Sequence, residues 1–262
     1  MTGPTVRKRE EDEHILHFRQ TCPFVISPDY DYLHDRWWQT AISLLVRIVI
    51  VPLLFLFHYI AFGFRIYGCQ NLKMLRKRGA VTICNHIHPI DCTMIYVALR
   101  HLRGYFVTLD TNFKIPVARH LIRLLGGVPI SKNPHQVNDL LRSAGTALKR
   151  GNYVQIYPEA VLKPYCHTLR NFHPGAFRIA AENGAPVLPM VITLERPFGF
   201  FAWYKRKRCL RLHILPPIEP DMTLKKRDRT EKLQRECFEA MNQKRIERRR
   251  AQHKKQLKGF LI

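Results

Sequence analysis

Acidic side chains are scarce in this chain: 20 Asp and Glu residues face 43 Lys and Arg residues, which leaves a formal net charge of +23. A chain this basic needs anionic surroundings, and nucleic acid, an anionic membrane surface and acidic substrates all qualify. The sequence also lacks any C-x-x-C pair, and its seven cysteines are odd in number and scattered. We therefore expect free thiols in a reducing cytoplasm.

We expect neither a secretory leader nor internal repeats. The opening stretch, MTGPTVRKREEDEH, is too charged for a signal peptide, and no segment of the chain repeats. The chain has 262 residues, 46% of them hydrophobic, which is enough to bury one sizeable core. These features predict one globular domain behind the N-terminal segments.

The longest apolar run lies in residues 37–66, WWQTAISLLVRIVIVPLLFLFHYIAFGFRI. From Ile48 to Phe64 only His58 titrates near neutral pH, and the length approaches one membrane span. Pro52 divides the run, and basic residues flank it on both sides, whereas a spanning helix normally shows a one-sided bias. We expect a membrane-associating helical hairpin at the cytoplasmic face, with a single span or a buried core helix as the alternatives.

Strand-like and helix-like segments alternate from residue 80 onward. The strand-like runs are AVTIC, YFVTL, GVPIS, YVQIY, PVLPMVIT and CLRLHIL. The helical segments cover residues 89–102, 116–125, 137–149 and 177–181, and one long basic helix follows Pro220 to about Lys258. This alternation predicts an α/β fold in which helices flank a central, largely parallel mixed sheet.

The chain thus divides into four segments. They are a polar lead-in over 1–36, the membrane-associating hairpin over 37–66, an α/β domain over 67–220 and a basic C-terminal helix over 221–262. Within the α/β domain, residues 196–208, RPFGFFAWYKRKR, are expected to form a loop. Its aromatic and basic side chains suit a membrane interface and stacked nucleic-acid bases equally well.

The stretch VTICNHIHPID, residues 81–91, contains the strongest chemical signal. On one continuous helix His86 and Asp91 would diverge, because five residues rotate the chain by about 500°. Pro89 favours a helix that begins after His86, so Asp91 falls in the first turn and can reach back to the imidazole. Such a pair fixes the tautomer and leaves the other ring nitrogen as a base. A structural hydrogen bond and a His-x-His metal site are the alternatives, although no second ligand cluster is evident.

Other polar side chains follow the neighbouring strand-like runs. Glu159 follows YVQIYP, while Ser131 and Lys132 follow GVPI. Because ligands collect at the carboxyl ends of parallel strands, we expect these groups and His86 to meet in one crevice. The backbone N–H groups at the helix start after His86 are candidate oxyanion donors.

From about residue 65 to 218 the sequence resembles the glycerolipid acyltransferase family, whose best-known member makes phosphatidic acid from 1-acylglycerol-3-phosphate. The family's Asn-His-x4-Asp block matches Asn85, His86 and Asp91, and its second block is similar to residues 126–132, with lysine at the usual arginine. The third block, Pro-Glu-Gly-Thr-Arg in the family, reads PEAVL over residues 158–162. The fourth resembles APVLP, residues 185–189.

The resemblance implies transfer of an acyl group from acyl-CoA or acyl carrier protein to a lysophospholipid hydroxyl. It implies His86 and Asp91 as the catalytic pair, without a metal or other cofactor. The substrate-binding candidates are Asn85, Gly127, Ser131, Lys132, Glu159 and Lys163. The expected partners are the acyl thioester donor, the lysophospholipid acceptor and an anionic membrane surface. For an acyltransferase, no nucleic acid is expected as a partner. The alternatives are a non-catalytic lipid-binding relative and a basic nucleic-acid-binding protein.

Overall fold

A seven-stranded sheet forms the centre of the computed structural model, which describes residues 24–27, 29–75, 78–116, 118–131, 133–197 and 199–259. The strands are β1 Arg65–Tyr67, β2 Ala80–Cys84, β3 Gly104–Leu109, β4 Gly127–Ile130, β5 Tyr153–Ile156, β6 Val187–Glu195 and β7 Cys209–Ile214. Their order is β1-β7-β6-β2-β5-β3-β4, and within the described residues every pair is parallel except β6 with β7. The predicted α/β class with a largely parallel mixed sheet is confirmed.

Helices cover both faces of this sheet. The α-helices are α1 Trp37–Phe62, α2 Asp91–Ala98, α3 Ala118–Leu124, α4 Pro134–Lys149, α5 Gly175–Asn183, α6 Phe200–Tyr204 and α7 Lys226–Gly259, and short 3-10 helices cover Cys69–Leu75 and Asp110–Lys114. Side chains of α4, α5 and α7 pack in one buried cluster, and α2 packs in a second with the end of α1. Because both faces are covered, the central strands are largely buried; all five residues of β2 are buried.

The N-terminal apolar segment is one continuous helix of 26 residues, so the predicted hairpin is wrong. Pro52 lies inside α1, where it removes one hydrogen bond but does not reverse the chain. A hairpin also needs turn residues, and α1 has no Gly, Asn or Asp; it ends only at Gly63, in the left-handed region at φ 56°. By length and composition α1 could cross a membrane, and only 6% of its most apolar window is buried in the protein.

Local capping explains the other differences from the sequence-based boundaries. Helix α4 begins at Pro134, before the predicted start, because the Asn133 side chain accepts a hydrogen bond from the His135 N–H at 3.0 Å. Helix α7 begins at Lys226 instead of directly after Pro220, because Asp221 forms a turn with the N–H and hydroxyl of Thr223. Strand β1 and helix α6 were not predicted.

The described part of the lead-in, 24–27 and 29–36, forms no helix or strand and packs Ile26 and Tyr32 into the core. The rest of the predicted 1–36 segment lies outside the described residues. The six described cysteines are free: Cys69, Cys84, Cys92, Cys166, Cys209 and Cys237.

Candidate active site

The predicted pair of His86 and Asp91 is formed at the carboxyl end of β2. Strand β2 ends at Cys84, a loop carries His86, and Asp91 is the first residue of α2. The Nδ1 atom of His86 lies 2.8 Å from Oδ2 of Asp91. The Asp91 side chain is fully buried, whereas that of His86 is 21% exposed. The carboxylate therefore holds one imidazole nitrogen, and Nε2 has no hydrogen-bond partner in the described part of the chain.

Backbone N–H groups around the pair converge on Asp91. The N–H groups of Ile87 and His88 donate to its Oδ2 atom at 3.2 and 3.4 Å. They stabilise the buried negative charge, as does the N-terminal end of α2. These two loop N–H groups are therefore used by the aspartate, whereas the expected oxyanion donors at the start of α2 stay a prediction.

Glu159 joins the His86 loop to the loop that follows β5. Its Oε2 atom accepts from the His86 N–H and its Oε1 atom accepts from the Arg170 N–H, each at 3.2 Å. The residue is 2% exposed, and burial raises the pKa of its carboxyl above the usual range. Ala160, which follows, lies in the left-handed region at φ 60°, where the family pattern has glycine. Glu159 thus holds the backbone on both sides of the site.

Asn85 ties the same loop to β6. Its Nδ2 group donates to the Ile192 carbonyl at 3.0 Å, and its Oδ1 atom accepts from the Ile192 N–H at 2.8 Å. Both polar groups of this buried side chain are used inside the protein. The sequence predicted Asn85 as a substrate contact, but this geometry gives it the role of positioning His86.

Tyr157 is a site residue that the sequence analysis missed. Its ring stacks on the His86 imidazole with centroids 4.2 Å apart and planes 19° from parallel. Burial, and then the charge of Asp91, raises the pKa of the Tyr157 hydroxyl, so the phenol stays neutral. The only signal in the sequence was an aromatic residue at the end of β5, directly before Pro158 and Glu159.

The apolar helix α1 reaches the site through its C-terminal turns. His58, fully buried, lies with its Nε2 atom 2.9 Å from the Thr93 hydroxyl of α2. The Phe62 ring meets the His88 ring edge to face at 4.7 Å. The helix that is exposed along most of its length is thus anchored beside the His86 loop.

The end of β4 lies away from His86 in the sheet, so the expectation that its polar groups join His86 in one crevice stays a prediction. Strand β4 lies three strands from β2, about 14 Å away at ordinary strand spacing. There Ser131 accepts a hydrogen bond from the Asn133 N–H, and a Cβ atom on Gly127 would lie 2.3 Å from the Ile122 side chain. Gly127 therefore permits close packing of α3. Lys132 lies outside the described residues.

Lys163 does lie next to the His86 loop. Its N–H donates to the His86 carbonyl at 3.1 Å, and its side chain is exposed. In the described ranges, no group of three or more His, Cys, Asp or Glu side chains is arranged to hold a metal ion.

Comparison with known proteins gives matches over the segment that carries this site. Residues 64–193 match the family model described as Acyltransferase. The chain is 31% identical over 129 residues to the chloroplastic 1-acyl-sn-glycerol-3-phosphate acyltransferase BAT2 of Brassica napus, and 29% identical over 136 residues to LPAT1 of Arabidopsis thaliana. These matches cover 48% and 51% of this chain but only 36% and 37% of the relatives' own lengths.

A solved structure supports the fold. The crystal structure of PlsC, the 1-acyl-sn-glycerophosphate acyltransferase of Thermotoga maritima, aligns with a TM-score of 0.50 at 21% identity and covers 77% of this chain and 86% of PlsC. The segment that matches the family model holds the His86 and Asp91 pair, Tyr157 and Glu159. The segment over residues 64–193 therefore belongs to the acyltransferase family, and the chain is similar to 1-acyl-sn-glycerol-3-phosphate acyltransferases over about half of its length.

Proposed function

We propose that this protein is a membrane-associated enzyme that moves a fatty acyl group from an acyl thioester to a hydroxyl of a lysophospholipid. The observation that carries the proposal is the contact of 2.8 Å between His86 Nδ1 and Asp91 Oδ2, with Nε2 left unbonded in the described residues. A partly exposed imidazole held in one tautomer by a buried carboxylate is suited to general-base catalysis.

The proposed reaction passes through one tetrahedral intermediate. His86 Nε2 takes the proton from the acceptor hydroxyl as the hydroxyl oxygen bonds to the thioester carbonyl carbon. When the intermediate collapses, the carbon–sulfur bond breaks and the imidazolium returns the proton to the departing thiolate. Asp91 stabilises the imidazolium throughout, and no acyl-enzyme or metal is required. Acyl-CoA and acyl carrier protein both provide the thioester.

The acceptor is proposed from the relatives. The two plant proteins are named for 1-acyl-sn-glycerol-3-phosphate, so we propose a lysophospholipid of this kind as the acceptor. The family resemblance has an arginine where this chain has Leu162, and that side chain is buried. The headgroup must therefore be recognised by other residues, which makes the acceptor the first quantity to measure.

Membrane association is supported by the exposed surface of α1. Trp37, Leu45 and Val49 are 82%, 65% and 61% exposed, and the helix ends against His88 at the site. An acyl chain dissolved in the bilayer would then lie close to the catalytic loop. The free cysteines favour a location at the cytoplasmic face.

Product analysis tests this function. Purified protein in mixed micelles is given acyl-CoA or acyl carrier protein thioester with a panel of lysolipids that differ in headgroup, and the diacyl product is identified by mass spectrometry. We expect a product with at least one phosphate-bearing acceptor. Failure with every donor and acceptor would contradict the proposal and favour a non-catalytic lipid-binding protein.

A further inference from the structure

Three arginines form a group on the rim of the site that the catalytic contacts do not use. This arginine cluster consists of Arg208, directly before β7, and Arg245 and Arg249 of α7. The Arg245 guanidinium donates to the His167 carbonyl at 2.5 Å. Arg249 follows one helical turn later and therefore lies on the same side of α7.

The packing of α7 brings Arg208 to the same place. Cys209, the first residue of β7, pairs with Glu195 at the end of β6. Glu195 in turn forms an ion pair with Arg248, the neighbour of Arg249 on α7. The residue before β7 and this turn of α7 thus meet at one end of the sheet.

That end is the catalytic end of the sheet. Because β7 runs antiparallel to β6, its first residue lies at the edge where β2 and β5 deliver His86 and Glu159. Strand β7 is two strands from β2, about 10 Å at ordinary spacing. His167 is four residues beyond Lys163, whose N–H is bonded to the His86 carbonyl, so the chain between them spans at most about 14 Å.

The arginine cluster has no neutralising partner in the described residues. None of its three guanidinium groups forms an ion pair there, and the nearby Glu195 carboxylate is held by Arg211 and Arg248. Burial is the largest cause that lowers the pKa of His167, and the charges of Arg208, Arg249 and Arg245 lower it further. All three guanidinium groups therefore act on the surroundings of His167. Like charges that act on one region repel each other, and a bound dianion would offset the repulsion.

We propose that the arginine cluster is the phosphate-binding subsite of this enzyme, which takes the place of the arginine that the family has at Leu162. The inference rests on the proposed acyl transfer. Its ligand is a phosphate monoester, which guanidinium groups bind through paired N–H donors. Two substrates carry that group: the lysophospholipid, in its headgroup, and coenzyme A, in its 3′-phosphate.

Steady-state kinetics of arginine variants distinguish the lysophospholipid headgroup from the 3′-phosphate of coenzyme A. Arg208→Gln and Arg249→Gln each remove one cation that forms no hydrogen bond or ion pair in the described residues, and Arg250→Gln, exposed on the next position of α7, is the control for net charge. For a headgroup site, we expect the KM for 1-acylglycerol-3-phosphate to rise at least tenfold in each variant, with kcat changed less than twofold. The KM for a monoacylglycerol acceptor would stay unchanged. For a donor site, the KM for acyl-CoA would rise instead, and that for 3′-dephospho-acyl-CoA would not.

Equilibrium binding separates failure of the subsite from failure of the proposed function. Binding of 1-acylglycerol-3-phosphate and of coenzyme A is measured by calorimetry in mixed micelles, without turnover. Selective weakening in Arg208→Gln and Arg249→Gln supports the subsite even if no acyl transfer is found. Variants that match Arg250→Gln in both KM values and both affinities would overturn the subsite while leaving the acyltransferase activity intact.

Discussion

Tyr157 lies against the face of His86, with ring centroids 4.2 Å apart, while Asp91 holds the edge of the same imidazole at 2.8 Å. One contact from the end of β5 and one from the start of α2 therefore fix the ring in two directions. Orientation of a general base in this way contributes to catalysis because proton transfer requires the nitrogen to meet the hydroxyl at hydrogen-bond distance.

The Tyr157 ring should matter more than its hydroxyl. That hydroxyl is buried close to Asp91 but meets the geometry of a hydrogen bond with no described residue, so Tyr157→Phe should keep kcat within about threefold. Tyr157→Ala removes the stacked ring and leaves a cavity, and should lower kcat about tenfold or more with a loss of stability of about 3 to 5 kcal/mol. Steady-state rates and denaturant unfolding measure both effects. Equal rates for the Phe and Ala variants would show that stacking does not orient His86.

Asn85 should contribute to stability through its two bonds to Ile192. Asn85→Ala leaves a buried N–H and a buried carbonyl of β6 unpaired, which should cost about 2 to 4 kcal/mol. Asn171→Ala, at an exposed position, is the matched control and should change the unfolding free energy by less than about 0.5 kcal/mol. Urea unfolding followed by circular dichroism gives both values. A loss in Asn85→Ala no larger than the control would exclude the positioning role.

Glu159 should make stability depend on pH in a defined direction. Burial raises the pKa of its carboxyl above the ordinary 4.5, so the folded state binds this proton more tightly than the unfolded state. The resulting stabilisation is complete below pH 4.5 and is lost as pH rises through the raised value. Glu159→Gln cannot bind this proton and lacks the pH-dependent stabilisation. As the pH rises from 4.5 to neutrality, the Tm of the variant minus the Tm of the parent should therefore increase. Parallel thermal melts test this, and a Tm difference independent of pH would contradict it.

Helix α1 should bind membranes through its exposed side chains. Leu45→Glu places a charge on a side chain that is 65% exposed, so it should weaken binding to anionic vesicles at least tenfold without lowering Tm. Gln70→Glu, at an exposed position outside α1, adds the same charge and should have little effect. Vesicle pelleting after nuclease treatment and in high salt gives the affinities. Pelleting that nuclease abolishes would instead favour nucleic-acid binding.

The sequence predicts the structure best where residues that are neighbours along the chain determine the conformation. The spacing of His86 and Asp91 around Pro89 required a loop and a helix start, and the structure has both. The predicted hairpin is wrong because one proline without turn residues does not reverse a helix.

The remaining differences depend on strand order, which the chain order does not reveal. Strands β2 and β5 are neighbours, which stacks Tyr157 on His86, whereas β4 lies at the edge and carries Ser131 away from the site. The arginine cluster likewise forms only when α7 packs beside the end of β6.

The most direct test of the account is release of free thiol from acyl-CoA in mixed micelles with lysophospholipid, by the parent and by His86→Ala. His135→Ala, at an exposed histidine on α4, is the control. If His86 is the general base, its loss should lower acceptor-dependent release by about 10² to 10⁴-fold, while the control keeps the parental rate. Undiminished release by a folded His86→Ala protein would contradict the mechanism.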